Sequence, residues 1–99
     1  MNVAPSVWIV CYDICQQDRL RRVYKVMRSW GDPIQYSVFR CLLSPVQLAR
    51  LQGALQEVIH GQEDQVVFIP LGAPDGPMEK KVLTLGAPLL YPERVAKVF

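Results

Sequence analysis

The chain has 99 residues, of which 51% are hydrophobic and 20% charged, with a formal net charge of +2. That length is expected to make one domain. It also limits the buried fraction of the surface, so burial by dimerisation would help. No apolar run approaches the roughly 20 residues that span a bilayer. Met1 to Ser6 lacks the regions of a signal peptide, so the expectation is a soluble, cytoplasmic protein.

Val7-Trp8-Ile9-Val10-Cys11-Tyr12-Asp13-Ile14 is rich in β-branched and aromatic residues and too short for a typical helix, which predicts a strand. Alternation sets Val7, Ile9, Cys11 and Asp13 on one face and Trp8, Val10, Tyr12 and Ile14 on the other. Both faces are apolar, as in a central strand covered on both sides. Asp13 falls where the strand leaves the sheet. An aspartate there serves as a turn or cap residue, or as an acid beside a basic helix, suited to a metal near a phosphate.

Gln16-Gln17-Asp18 predicts a polar turn with Asp18 as N-cap of a helix. Leu20, Val23, Tyr24, Met27 and Trp30 form its apolar stripe, with Arg21, Arg22, Lys25 and Arg28 opposite and Arg19 at the margin. Five of the eleven lysines and arginines lie between Arg19 and Arg28. Such a face is either solvated or a polyanion contact; with no acid among the five cations, polyanion would relieve their repulsion. Gly31 is the expected helix C′ residue, and Asp32-Pro33 the stop.

Ile34 to Leu43 reads as one bent strand or as two short strands broken near Tyr36-Ser37 or Arg40-Cys41. Ser44-Pro45-Val46-Gln47 is a strong helix start. The stripe Leu48, Leu51, Leu55, Val58 and Ile59 then runs to His60-Gly61. Gln65 to Leu71 is a further strand, with Pro70 tolerated near its end. Gly72 to Pro77 is a connector, Lys81 to Leu85 is short and β-like, and Ala87 to Phe99 is an apolar tail that needs a docking surface, most economically on a second copy. Cys11, Cys15 and Cys41 with the lone His60 do not make an ordinary zinc quartet and read as buried reduced thiols. The order β-α-β(β)-α-β is ferredoxin-like, an α+β fold. One sheet face carries the helices; the other, read as the Trp8, Val10 and Tyr12 side, needs a partner.

Tyr12-Asp13-Ile14 closing the first strand, the arginine-rich first helix, Gln35-Tyr36-Ser37-Val38-Phe39, and Asp64 opening a Val-rich strand recur together in one family. Over roughly Val7 to Gly86 the chain resembles the small CRISPR-associated spacer-acquisition protein that partners the spacer integrase in antiviral defence, a family also described as metal-dependent endoribonucleases. The resemblance implies a homodimer with two sheets face to face. Residues 1–86 would form the domain, including a strand near 81–85 that crosses to the partner, and residues 87–99 the tail docked on the dimer. It further implies Asp13 as Mg2+ ligand, with Tyr12, Ser37 and Phe39 as catalytic candidates and Arg19, Arg21 and Arg22, extended to Lys25 and Arg28, as nucleic-acid contacts. Cys15-Gln16-Gln17 and Arg40 depart from a pattern that is commonly acidic there, which disfavours metal and favours DNA.

Three functions fit the sequence. One is a Mg2+-dependent endonuclease acting on RNA or DNA, its carboxylates paired across a dimer because one per chain is too few. Another is a non-catalytic dimer that bridges integrase subunits and carries duplex prespacer DNA on the first helix. The third is a single-strand RNA-binding module with exposed sheet aromatics, although the usual aromatic-glycine motifs are missing. A small-molecule-sensing domain of the same fold is also compatible with the composition.

Overall fold

A computed structural model describes residues 4–76 and 81–89. The elements run β1 (Ser6–Asp13), α1 (Gln17–Trp30), β2 (Gly31–Gln35), β3 (Val38–Leu43), α2 (Pro45–Gln56) and β4 (Gln65–Gly72). The sheet order is β2-β3-β1-β4, with every neighbouring pair antiparallel. This is the β-α-β-β-α-β arrangement expected from the sequence, with β1 central.

The register decides which face of β1 meets the helices. Val10 lies opposite Phe39, and Val10, Tyr12, Phe39, Cys41 and Leu43 form one buried core with Val23 and Met27 of α1 and Leu51 and Leu55 of α2. Trp8 packs against the same core. The expectation that Trp8, Val10 and Tyr12 line the uncovered face is therefore corrected. Both faces of β1 are apolar, so alternation alone could not tell them apart. The open face instead carries Val7, Ile9, Cys11 and Asp13, flanked by Leu42 of β3 and by Val67 and Ile69 of β4. Leu42, Val67 and Ile69 are each more than 40% exposed.

Helix α1 is capped by Gln16, not Asp18: the Gln16 side chain accepts from the Arg19 backbone N–H at 2.8 Å. Asp18 lies in the first turn, where its charge suits the helix dipole. At the other end the helix passes into β2 with no connecting loop. Gly31 is extended rather than left-handed, and a Cβ there would collide with the Arg40 carbonyl and the Cys41 sulfur of β3. Glycine is needed for close approach between strands, not for the helix cap that the sequence suggested. The break in 34–43 falls at Tyr36-Ser37, and Pro33 sits in β2, an edge strand that tolerates it.

Helix α2 starts with the expected capping box, Ser44 and Gln47 each bonding the other's backbone N–H. It stops at Gln56, short of His60: the Val58 amide turns to the Leu55 carbonyl three residues back, and the His60 amide is taken by Asp64. Residues 81–89 form turns and bends, so the expected strand at 81–85 is absent within the single chain. Lys81 is anchored instead, its Nζ donating to the carbonyls of Leu71 and Ala73 and pairing with Asp75 at 3.0 Å. Leu83 and Leu85 stand almost fully exposed. The tail expected to dock on a second copy lies largely outside the described residues. Of the thiols, Cys41 is buried and its pKa is pushed up to about 11 by desolvation, Cys11 is half-buried, and Cys15 is exposed, contrary to the expectation of three buried cysteines.

Candidate nucleic-acid interface

The carboxyl end of β1 brings together part of the expected site and separates the rest. The Tyr12 backbone N–H donates to the Ser37 carbonyl at 3.1 Å, which ties the β2–β3 turn to the strand end. The Tyr12 ring stacks on Phe39 with centroids 6.2 Å apart. Phe39 is fully buried; it supports Tyr12 and cannot touch a substrate. Asp13 is exposed, opposite Gln65, and belongs to the other face of the sheet from Tyr12. The four residues proposed as catalytic thus split: Tyr12, Ser37 and Phe39 cluster, and Asp13 faces away. The Tyr12 phenol is pushed up to about 12, chiefly by burial and then by the nearby Tyr24 and Tyr36 phenols. It stays protonated at neutral pH.

Arg19 is not a free cation. Its Nε donates to Asp64 Oδ2 at 2.8 Å and its Nη2 pairs with Glu63 at 2.9 Å. Asp64 also accepts the backbone N–H groups of Cys15, at 2.9 Å, and His60, at 2.8 Å. The Arg19 bond and these two amides hold its carboxyl well below the usual carboxylate range despite burial. This node joins the β1–α1 and α2–β4 connections at one end of the sheet. Its signal in the sequence was an aspartate just before a strand, and only the long-range pairing makes it more than a turn residue.

The remaining cations form the surface. Arg21, Arg22, Lys25 and Arg28 are exposed on α1. Arg21 is loosely paired with Asp18 at 3.5 Å, both mostly exposed, so the pair contributes little. Among the described residues, no carboxylate pairs with Arg22, Lys25 or Arg28. Aligned on one helix, these groups suit phosphate oxygens, and the contact would carry no base information.

A divalent ion fits poorly within one chain. Among the described residues, no three His, Cys, Asp or Glu side chains gather as a metal-binding group. Asp64 is committed to Arg19 and two amides, which leaves Asp13 as a lone carboxylate where Mg2+ needs several oxygens. The chain alone does not build the site that the resemblance implied.

The model of the family "CRISPR associated protein Cas2" matches residues 6–76, which takes in all six elements. The chain belongs to the Cas2 family. It is 44% identical over 64 residues to CRISPR-associated endoribonuclease Cas2 2 of Thermodesulfovibrio yellowstonii, covering 65% of this chain and 70% of that one. It is 32% identical over 95 residues to CRISPR-associated endoribonuclease Cas2 1 of Rhodospirillum rubrum, covering 96% and 92%. The crystal structure of Streptococcus pyogenes Cas2 superposes with a TM-score of 0.70 at 29% identity, over 81% of this chain and 99% of that one.

Within the Cas2 fold the departure at Arg40 takes a specific place. Arg40 lies opposite Ile9, four residues along β1 from Asp13 and so roughly 13 Å away. It pairs weakly with Asp32 across the strands, at 4.0 Å. Its charge belongs to the middle of the open sheet face rather than to the surroundings of Asp13. No helix among the described residues is long and apolar enough to cross a membrane.

Proposed function

We propose that this Cas2 chain works as a homodimer that carries duplex prespacer DNA within the spacer-integration complex, alongside the integrase. The observation that carries the reading is the division of the molecule into two sides. The open face, with Leu42, Val67 and Ile69 exposed, is available to a second copy. The unpaired cations of α1 lie on the helix side. Sheets joined face to face would keep both basic helices outward, free to follow a DNA backbone. The β4 edge, unpaired among the described residues, and the exposed Leu83 and Leu85 support strand exchange after Lys81.

Nuclease activity is the second reading, favoured by the relatives named as endoribonucleases. Dimerisation through the open face would bring two Asp13 carboxylates to one side, the pair that Mg2+ would require. The ion, when bound, would supply charge stabilisation at a phosphodiester. The free cations of α1 lie on the opposite side of the sheet from Asp13, which favours the carrier role over cleavage on the same bound strand. Stacking of RNA on the sheet, the third reading, loses its basis because Trp8 and Tyr12 pack under the helices.

The test is Asp13→Asn, with metal-dependent cleavage and spacer integration measured on the same preparation. Cleavage is expected to vanish while the dimer, DNA binding and integration persist. Joint loss of cleavage and integration in a folded dimer would make the chemistry essential. Ile69→Lys is expected to give a monomer by light scattering; an unchanged dimer would place the interface elsewhere.

A further inference from the structure

Between α1 and the β2–β3 hairpin lies a cleft of about 750 Å3, large enough for a nucleotide-sized ligand. Its walls combine three phenols, Tyr12, Tyr24 and Tyr36, with Arg21, Arg22 and Lys25 at the rim. We propose that this cleft binds an unstacked nucleobase together with its phosphate. The base would be delivered as an unpaired nucleotide of the strand lying on α1, so this source rests on the carrier reading above.

The Tyr12 hydroxyl points to a ligand. Tyr12 is only 6% exposed, and among the described residues its hydroxyl has no hydrogen-bond partner. A buried donor is rarely left in that state unless something else meets it. Its protonated form offers a hydrogen to a ring nitrogen or carbonyl of a base. The Tyr24 ring is held edge-on to Phe39, with centroids 5.6 Å apart and planes at 66°, so part of its surface is fixed against the core. Tyr36 sits on the hairpin turn and is 79% exposed, an aromatic face open to solvent. Aromatic surfaces of this kind accept any base by stacking.

The cations define the other half of the ligand. Arg22 and Lys25 have no carboxylate partner among the described residues, and the Arg21 pair with Asp18 is loose. An apolar, aromatic cavity edged by positive charge complements a planar group joined to an anion. The cleft opens on the helix side, away from the sheet face assigned to the second copy, so dimerisation leaves it accessible.

The full chain would be titrated with adenosine monophosphate and, separately, with inorganic phosphate, following the Tyr36 and Ile34 NMR signals. Saturable shifts are expected with the nucleotide and not with phosphate, weakened about tenfold by Tyr36→Ala or Tyr12→Phe. In parallel, a duplex with one unpaired terminal nucleotide is expected to bind about tenfold more tightly than a blunt duplex. Tyr36→Ala should erase that difference and leave blunt affinity unchanged. Nucleotide binding without any preference between duplexes would overturn the strand as the source. The absence of both effects would overturn the cleft, even with blunt duplex still bound to α1. Nucleotide binding with all duplex binding abolished would instead sink the carrier reading and leave the cleft standing.

Discussion

Arg19 and Asp64 meet at 2.8 Å across 45 positions of sequence, and their ion pair takes the helix's first cation out of its free basic face. The order of destabilisation follows from what each deletion orphans. Asp64→Ala leaves the Cys15 and His60 amides and the Arg19 Nε–H without their acceptor, the guanidinium keeping only Glu63. Arg19→Ala leaves the carboxylate with two amides still donating. Urea denaturation is expected to show the larger effect for Asp64→Ala; the reverse order would mean that the guanidinium, not the amides, holds the node.

The same node gives a pH dependence. Because the folded pKa of Asp64 is depressed, its contribution is fully present above the ordinary carboxylate value, about 3.9. It disappears as pH falls below that value toward the folded one. Wild-type stability should therefore decline on acidification below about pH 4, and Asp64→Asn should flatten that decline. Parallel profiles for the two proteins would remove Asp64 as the source.

DNA binding should divide the arginines. Replacing Arg22, Lys25 or Arg28 by alanine is expected to reduce the slope of log K against log salt by about 0.9 for each phosphate it neutralises. Arg19→Ala, assayed where it is folded, should leave the slope unchanged. A slope that falls with Arg19 and not with Arg22 would put the phosphate path at the Asp64 end.

Backbone positions supply two further tests. Gly31→Ala forces a methyl group into the Arg40 carbonyl and Cys41 sulfur and should cost about 1–3 kcal/mol, the range for overpacking. Ser44→Ala removes one half of the capping box and should cost about 1 kcal/mol. Chemical denaturation reads both, and a neutral Gly31→Ala would show that β2 and β3 can separate there at no cost.

The element order and the α2 start were legible because local chemistry specifies them: alternation for strands, and Ser44-Pro45-Val46-Gln47 for a cap. The orientation of β1 was not, since an apolar residue at every position from Val7 to Tyr12 satisfies either face. The Gln16 cap was hidden for a related reason. Asp18 is the better capping residue by type, but Asp64 fixes the backbone at Cys15 and leaves Gln16 at the helix entry. Asp13 and the α1 cations were readable as residue types. Their placement on opposite sides of the sheet, and the withdrawal of Arg19, depend on pairings between distant segments that periodicity does not encode.

The junction at Trp30–Gly31 has no slack. A residue inserted or deleted within α1 would turn the cations before it by about 100° relative to those after it. If the change were passed into β2, it would exchange that strand's two faces. The angular phase of the basic face is thus geared to the pleat of the sheet, so the length of α1 is constrained in a way that its surface residue types are not. Relatives that keep this junction are free to vary which cations they present. Their helices should change length only with a compensating bulge in β2, and the irregularity between Pro33 and Gln35 is where such a correction would be absorbed.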